Sequence, residues 1–274
     1  MTVRVLHLSD IHFGHENVAA VDATALFIAK TPFDLLVVSG DVTQYGERRE
    51  FEAARRWFAR LPGPRLVVPG NHDTPWMGLW ERLTAPFARY ERAIGPAHGD
   101  AFVSPAICAS AANTARGWQV RMDWSKGEFT RGQAEAAAAA LGRTPAGVLR
   151  LFVCHHPLME LPGAPMTARV RGGREGARRL AEAGVDVILS GHLHVPFVQA
   201  LPYGEGRTYA VGAGTLSLRE RGAPPGFNVL EADAGQMTVT AMAWDGRQLA
   251  PAEVWRTPLR TGAAVLAETQ ATPA

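Results

Sequence analysis

The 274-residue sequence contains few cysteines, few lysines and no long apolar run. Two cysteines, Cys108 and Cys154, are too few for a disulfide framework, which is typical of a reducing compartment. No window approaches the roughly eighteen apolar residues of a membrane helix, and the first residues lack the basic and apolar regions of a secretory signal. We therefore expect a cytoplasmic protein without a membrane span.

The balance of charge excludes further classes of partner. Basic residues number 28 and acidic residues 26, and lysine occurs only at positions 30 and 126. A net charge of +2 gives no strong general attraction for a polyanion, which argues against nucleic acid as a partner. Apolar residues make up 47% of the chain and charged residues 20%, as in a globular protein with a substantial core.

Strand and helix patterns alternate along the first part of the chain. Short apolar runs predict strands at 3–8, 35–38 and 65–68, and the segments between them predict helices at 18–30 and 47–60. The order β-α-β-α-β predicts an α/β fold with the strands in the middle.

The same patterns recur less regularly in the remainder of the chain. We predict strands at 148–154 and 185–189 and helices at 130–141 and 174–183. No linker or internal repeat interrupts the elements, so the sequence predicts one domain. We place this domain at residues 1–257 and a disordered tail, bearing several Thr, Ala and Pro residues, at 258–274.

Five short segments concentrate the carboxylate, amide and imidazole groups that bind Mn, Fe and Zn ions. They hold six of the nine histidines and are Asp10-Ile11-His12, Gly40-Asp41, Gly70-Asn71-His72-Asp73, His155-His156-Pro157 and Gly191-His192-Leu193-His194. Each follows a predicted strand, and the carboxyl ends of neighbouring strands converge on one edge of a sheet. Asp41 follows Asp10 by 31 residues and Asn71 follows Asp41 by 30, each about one β-α-β unit.

Each segment alone has an ordinary interpretation as a capped turn or a surface loop. Gly40-Asp41 in particular is a common turn sequence. Together, however, the five segments require one explanation, and a metal centre at one edge of the fold supplies it. We therefore interpret them as ligands of metal ions.

The order Asp-x-His, Gly-Asp, Gly-Asn-His-Asp, His-x-Pro and Gly-His-x-His resembles that of the calcineurin-like metallophosphoesterases. The segment 9–14, Ser-Asp-Ile-His-Phe-Gly, is similar to the opening of their bacterial phosphodiesterase branch, which includes cyclic-nucleotide and glycerophosphodiester hydrolases. The motifs extend from residue 10 to residue 194, about two-thirds of the chain. The resemblance implies a four-layer αββα sandwich with two mixed sheets between outer helices.

The resemblance also implies two metal sites that share one carboxylate. The ligands of the first ion would be Asp10, His12, Asp41 and His194. The ligands of the second ion would be Asp41, Asn71, His155 and His192. In the family's His-x-Pro element the first histidine is the ligand, so His156 is not one. His72 would lie beside the leaving group as a catalytic residue, and Asp73 would help to orient its loop.

This ligand set predicts a metal-dependent phosphoester hydrolase. Two ions about 3.5–4 Å apart can share a hydroxide, lower its pKa and hold a phosphate for in-line attack. We expect a small phosphodiester as substrate, and the sequence leaves open Mn, Fe or Zn as the ions and a homo-oligomer as the assembly. A phosphomonoesterase, a pyrophosphatase acting on nucleotide-linked lipids, a nuclease and a non-catalytic binding module remain as alternatives.

Three further groups of residues are weaker candidates for substrate contact. For the aromatic residues after the His72 loop we favour packing over stacking on a nucleobase; they are Trp76, Trp80, Phe87 and Tyr90. For the arginines after the His155 loop we favour a solvated surface; they are Arg169, Arg171, Arg174, Arg178 and Arg179. Asn113 and Arg116 lie in the segment 101–122, whose loose alternation of apolar residues could hold two strands, and they carry the weakest indication.

Overall fold

The computed structural model describes residues 2–120, 123–167 and 169–260. In these residues, two six-stranded sheets form the centre of the molecule. The strands are, in chain order, β1 (Val3–Leu8), β2 (Leu35–Val38), β3 (Arg65–Val67), β4 (Ala101–Val103), β5 (Ile107–Ala111), β6 (Leu149–Val153), β7 (Val187–Ser190), β8 (Phe197–Ala200), β9 (Tyr209–Gly212), β10 (Gly226–Asp233), β11 (Gln236–Trp244) and β12 (Leu249–Pro258).

The helices lie on the outer faces of these sheets or in the connections. They are α1 (Val18–Lys30), α2 (Arg48–Phe58), α3 (Leu79–Thr84), α4 (Ala88–Ala93), α5 (Arg131–Gly142) and α6 (Gly173–Glu182). Asn17 caps the start of α1 by accepting a hydrogen bond from the Ala20 amide, and the extended backbone of Thr31 ends the helix. The predicted bounds 18–30 are confirmed.

Both sheets are mixed. The first has the order β12-β11-β10-β1-β2-β3, in which β1, β2 and β3 are parallel and the other pairings are antiparallel. The second has the order β4-β5-β6-β7-β9-β8, with parallel strands from β5 to β9 and an antiparallel strand at each edge. The predicted mixed sheets are confirmed.

Alternate residues of β1 enter two different cores, because successive side chains of a strand point to opposite faces. Leu6 and Leu8 pack with Phe51 of α2 on the outer face of the first sheet. Val5 packs between the two sheets with Leu151 of β6. A strand buried on both faces needs apolar residues at every position, which explains the uninterrupted apolar runs of the sequence.

A third core lies on the outer face of the second sheet. There Phe152 of β6 packs with Leu141 of α5 and Leu180 of α6. The layers are therefore helix, sheet, sheet and helix, and the predicted αββα sandwich is confirmed.

The strands that precede the five ligand segments belong to both sheets. β1, β2 and β3 lie in the first sheet, whereas β6 and β7 lie in the second. The expectation that the segments meet at the edge of a single sheet is therefore wrong. The carboxyl ends of two sets of parallel strands meet instead, and the site lies across the two central layers.

The end of the described chain is attached to the second sheet. β12 ends at Pro258, one residue past the predicted boundary of the domain, and Leu259 is buried. The Arg260 guanidinium donates hydrogen bonds to the carbonyl oxygens of Val185 and Gly204 at 3.0 Å each. The rest of the predicted tail, residues 261–274, lies outside the described residues. No helix in the described ranges is long and apolar enough to cross a membrane.

Candidate metal centre

The backbone is left-handed at five of the seven predicted metal ligands. The φ angles are 52° at Asp10, 53° at His12, 50° at Asp41, 69° at His192 and 63° at His194. Such a conformation costs a residue with a side chain of the order of 1–3 kcal/mol and is concentrated at functional sites. All five side chains are buried, and their nitrogen and oxygen atoms belong to clusters that could hold a metal ion.

Hydrogen bonds between neighbouring loops hold this backbone in place. The Asp10 amide donates to the Gly40 carbonyl at 2.9 Å, and the His12 amide donates to the Asp41 carbonyl at 3.0 Å. The His192 amide donates to Asp10 Oδ2 at 2.8 Å. These hydrogen bonds therefore hold the loops after β1, β2 and β7 in position relative to one another.

Side-chain atoms of Asp10, His12 and His194 form a first group of donor atoms, that is, nitrogen and oxygen atoms with a lone pair that a metal ion could bind. His194 Nε2 lies 3.1 Å from Asp10 Oδ1 and 3.3 Å from His12 Nε2. The His194 Nδ1 lies 2.7 Å from the Arg219 carbonyl, which only accepts, so Nδ1 carries the proton. In the neutral ring Nε2 then presents a lone pair to the Asp10 carboxylate, an arrangement that a cation between them stabilises.

Asp41 and His155 form a second group that adjoins the first. Asp41 Oδ2 lies 3.3 Å from His155 Nε2 and 3.8 Å from His12 Nε2. The His155 Nδ1 donates to the Ser39 carbonyl at 2.8 Å, which directs Nε2 towards Asp41. One carboxylate oxygen thus faces imidazoles of both groups, as a carboxylate shared by two ions would.

Several donor atoms of the centre are buried and have no hydrogen-bond partner among the described residues. They are Asp10 Oδ1, Asn71 Oδ1, His155 Nε2 and His192 Nε2. Buried polar atoms are nearly always paired, and each unpaired one costs about 1–3 kcal/mol. Metal coordination would satisfy all four atoms, so the residues present fit a metal centre.

Two glycines provide the space that these side chains occupy. Gly40 has a φ angle of 99°, and a Cβ atom there would lie 2.5 Å from His155 Nδ1. A Cβ atom at Gly70 would collide with the Asp41 carboxylate. A larger residue at either position would displace a donor.

Burial and the neighbouring carboxylates act in opposite directions on the imidazoles. Burial lowers the pKa of His12 to about 3, so this ring is neutral and able to bind a metal near pH 7. Burial is also the largest single influence on His155 and acts to lower its pKa, but the Asp41 and Asp10 carboxylates and the Ser39 carbonyl together outweigh it and raise that pKa to about 9. Without a metal, the cation facing Asp41 at neutral pH is therefore a proton on His155.

His72 lies beside the first group, with its ring edge-to-face on His12 and the ring centroids 4.8 Å apart. Its Nδ1 donates to the Gln44 carbonyl at 2.7 Å, and its amide donates to Asp41 Oδ1 at 2.8 Å. Its Nε2 lies 3.0 Å from Arg219 Nη1 and accepts a hydrogen bond from that guanidinium.

Asp73 is buried below this loop and joins it to the Asp41 loop. Its carboxylate accepts from the Gly70 amide at 2.9 Å, the Val42 amide at 3.1 Å, and the amide and hydroxyl of Thr43 at 2.8 Å each. Burial beside Asp41 raises the pKa of Asp73 to about 7. Since its oxygens accept these hydrogen bonds, Asp73 connects the two loops and does not point into the centre.

Residues 3–196 match the family described as calcineurin-like phosphoesterase. The chain belongs to this family. It is a metal-dependent phosphoester hydrolase, and its buried carboxylates and imidazoles form clusters that can hold divalent metal ions.

The chain is similar in sequence to two relatives and in structure to one solved protein. The phosphoesterase is 26% identical over 279 residues to a probable cyclic nucleotide phosphodiesterase of Synechococcus sp., with 94% of this chain and 92% of the relative covered. It is 29% identical over 183 residues to the glycerophosphodiester phosphodiesterase GpdQ of Enterobacter lignolyticus, covering 58% of this chain and 59% of that protein. Purple acid phosphatase PPD1 from yellow lupin seeds shares the fold, with a TM-score of 0.70, 12% identity, and coverage of 94% and 54%.

His156 lies among the rings of this phosphoesterase's centre but has no free nitrogen. Its Nε2 donates to the Ser125 carbonyl at 2.8 Å, and its Nδ1 accepts from the Thr114 hydroxyl at 2.9 Å. Its ring centroid is 4.6 Å from that of His192. His156 therefore supports the ligands by packing and offers no lone pair to a metal.

The weaker candidates lie away from the donor atoms or take other partners. Arg178 pairs with Glu175 at 2.7 Å and Glu182 at 2.6 Å, which agrees with a solvated helix face. Arg116 pairs with Glu128 at 3.1 Å.

The aromatic residues after the His72 loop divide into two pairs. Tyr90 is fully buried, and Phe87 packs against the same core. Trp76 is 66% exposed and Trp80 is 78% exposed, so the packing preferred for these two is wrong.

Two arginines that sequence reasoning missed reach the centre from the loop after β9. Arg219 contacts His72, and Arg221 Nη1 donates to the His192 carbonyl at 3.0 Å. The available signal was the run Tyr209–Gly212, an apolar strand followed by a glycine-rich turn. Because β9 is parallel to β7, its carboxyl end faces the same centre.

Proposed function

We propose that this phosphoesterase hydrolyses a small phosphodiester of the cyclic-nucleotide or glycerophosphodiester type with two bound metal ions. The observation that carries the proposal is the set of buried lone pairs that face one another. Asp10 faces His194 at 3.1 Å, and Asp41 faces His155 at 3.3 Å. Each pair is stabilised by a positive charge between its atoms, which a metal ion supplies once it displaces the proton of His155, and the two groups meet at Asp41.

The proposed ligands divide as the two groups of donor atoms do. Asp10, His12, Asp41 and His194 would hold the first ion. Asp41, Asn71, His155 and His192 would hold the second. When bound, the ions lower the pKa of water and offset the charge of the phosphate. Mn, Fe and Zn all accept such mixed nitrogen and oxygen ligands.

The chain's own residues supply the positioning. Asp41 Oδ1 holds the His72 amide at 2.8 Å, which places the imidazole at the edge of the first donor group. We place the leaving group of the substrate on this side, with His72 beside it. Asp73 maintains that position by joining the two loops through Thr43 and Gly70.

The substrate class rests on the relatives. The probable cyclic nucleotide phosphodiesterase aligns along 94% of this chain, and GpdQ aligns along 58% of it. Both names describe cleavage of a phosphodiester. The free thiols of Cys108 and Cys154 fit a reducing compartment, and we place the enzyme in the cytoplasm on that ground.

A turnover panel on manganese-reconstituted enzyme tests this function. The panel contains cyclic AMP, cyclic GMP, glycerophosphocholine and matched aryl phosphate mono- and diesters. We expect two metal ions per chain and a preference for diesters. Preference for the monoesters would refute the substrate class, and one metal ion or none in active enzyme would refute the binuclear site.

A further inference from the structure

The loop from Thr215 to Arg221 is attached to the metal centre at several points. The Thr215 hydroxyl donates to the Asp10 carbonyl at 2.7 Å, and the Leu216 amide donates to the same oxygen at 3.2 Å. The Arg219 carbonyl accepts from His194 Nδ1 at 2.7 Å. The loop therefore has a defined position relative to the Asp10 backbone and the His194 ring.

The Arg219 side chain extends from this loop to His72. Its Nη1 donates to His72 Nε2 at 3.0 Å, and the opposite ring nitrogen of His72 donates to the Gln44 carbonyl. Both nitrogens of the ring are thus engaged, and the ring holds the guanidinium at the edge of the centre. A guanidinium has five N–H donors, so this contact leaves others for a ligand.

Arg219 and Arg221 place two positive charges side by side. Neither pairs with a carboxylate among the described residues, in contrast to Arg178 on α6. Two half-buried cations in contact with the site residues, neither in an ion pair with a described carboxylate, form a place where an anion is stabilised.

We propose that Arg219 binds the phosphate group of the substrate and that His72 is the positioning residue for it. This inference rests on the proposed function, because it assigns a further contact within the same site. The planar guanidinium matches two phosphate oxygens at once, which a single imidazole does not. Arg221 holds the loop against His192 and adds a second positive charge beside Arg219.

The test compares the full-length, manganese-reconstituted wild type with the variants Arg219→Gln and Arg219→Lys. The control is Arg178→Gln, which also removes one arginine but on the surface of α6. The probes are inorganic phosphate, measured by calorimetry, and the best phosphoester of the panel. For Arg219→Gln we expect unchanged metal content, about 10- to 100-fold weaker phosphate binding and a similar fall in kcat/KM. Arg219→Lys should lie between, and Arg178→Gln should match the wild type.

A double-mutant cycle tests the positioning role of His72. If His72 acts through Arg219, the effects of His72→Ala and Arg219→Gln on phosphate affinity are less than additive. Additive effects would overturn the positioning role.

The outcomes separate the two proposals. Phosphate affinity within twofold of the wild type in Arg219→Gln would overturn the contact, as would a loss of metal from that variant. If the wild type binds phosphate through Arg219 but cleaves no diester, the proposed function fails and the contact stands. If the wild type cleaves diesters and Arg219→Gln cleaves them equally well, only the contact fails.

Discussion

Replacement of Asp41 by asparagine removes the charge that both donor groups share while it retains the shape of the side chain. The Oδ1 position still accepts the His72 amide, which is 2.8 Å away in the wild type. The charge at Oδ2, 3.3 Å from His155 Nε2, is lost. We therefore expect a specific electrostatic effect with the loops still in place.

The magnitude follows from the metal-free protein. Asp41 is the strongest of the influences that raise the pKa of His155, and together they carry it from its ordinary 6.5 to about 9. Asp41→Asn should lower it from about 9 to near or below 6.5, because burial still lowers the pKa while the largest opposing influence is gone; a fall of this size is on the order of 3 kcal/mol. Nuclear magnetic resonance titration of histidine-labelled, metal-free protein measures this value, and His155→Gln assigns the resonance.

The same proton affects metal uptake. A metal must displace the proton from His155 Nε2, whereas burial keeps the pKa of His12 near 3 and that ring needs no deprotonation. Below pH 9 the apparent metal affinity of the wild type should therefore rise about tenfold per pH unit through this proton. In Asp41→Asn this rise should cease near pH 6.5, with weaker binding of both ions. A His155 pKa that stays near 9 in the variant would refute the assignment of Asp41 as its partner.

Three further substitutions test other parts of the centre. Thr114→Val removes the hydroxyl that pairs with His156, so denaturant unfolding should show a loss of about 1–3 kcal/mol with metal content unchanged; loss of metal would contradict this expectation. Gly40→Ala places a Cβ atom against the His155 ring at a φ of 99° and should release the second ion, measured by mass spectrometry; two retained ions would contradict this. His72→Ala should retain both ions and slow alkyl esters more than activated aryl esters; equal slowing would contradict a place beside the leaving group.

The first half of the fold could be predicted closely from the sequence. The strands 3–8 and 35–38 are uninterrupted apolar runs, and the helix at 18–30 ends before Pro32, so local pattern and tertiary structure agree. The assignment of strands to sheets could not be predicted. An apolar run shows that a strand is buried on both faces but carries no information about its neighbours.

The donor residues could be found because they are rare residue types directly after strands. Arg219 and Arg221 could not, since arginine is common in this chain and their loop follows β9 by several residues. Their place depends on β9 pairing with β7 and not with β6, a contact between segments that are distant in sequence. For Trp76 and Trp80 the opposite error arose, since the sequence interpretation favoured packing and the structure shows both side chains exposed. Large aromatic side chains are usual in protein cores, so the residue type alone favoured burial.

The left-handed backbone at the donor residues has a consequence for how this chemistry can be lost. A glycine at His12, His192 or His194 would adopt the same φ angle with about 1–2 kcal/mol less steric cost. At Asp10 or His192 it would also delete a buried atom that has no partner without a metal. The left-handed backbone itself therefore gives no reason for a side chain at these positions; the reason lies in the hydrogen bonds between the loops and in the metal centre.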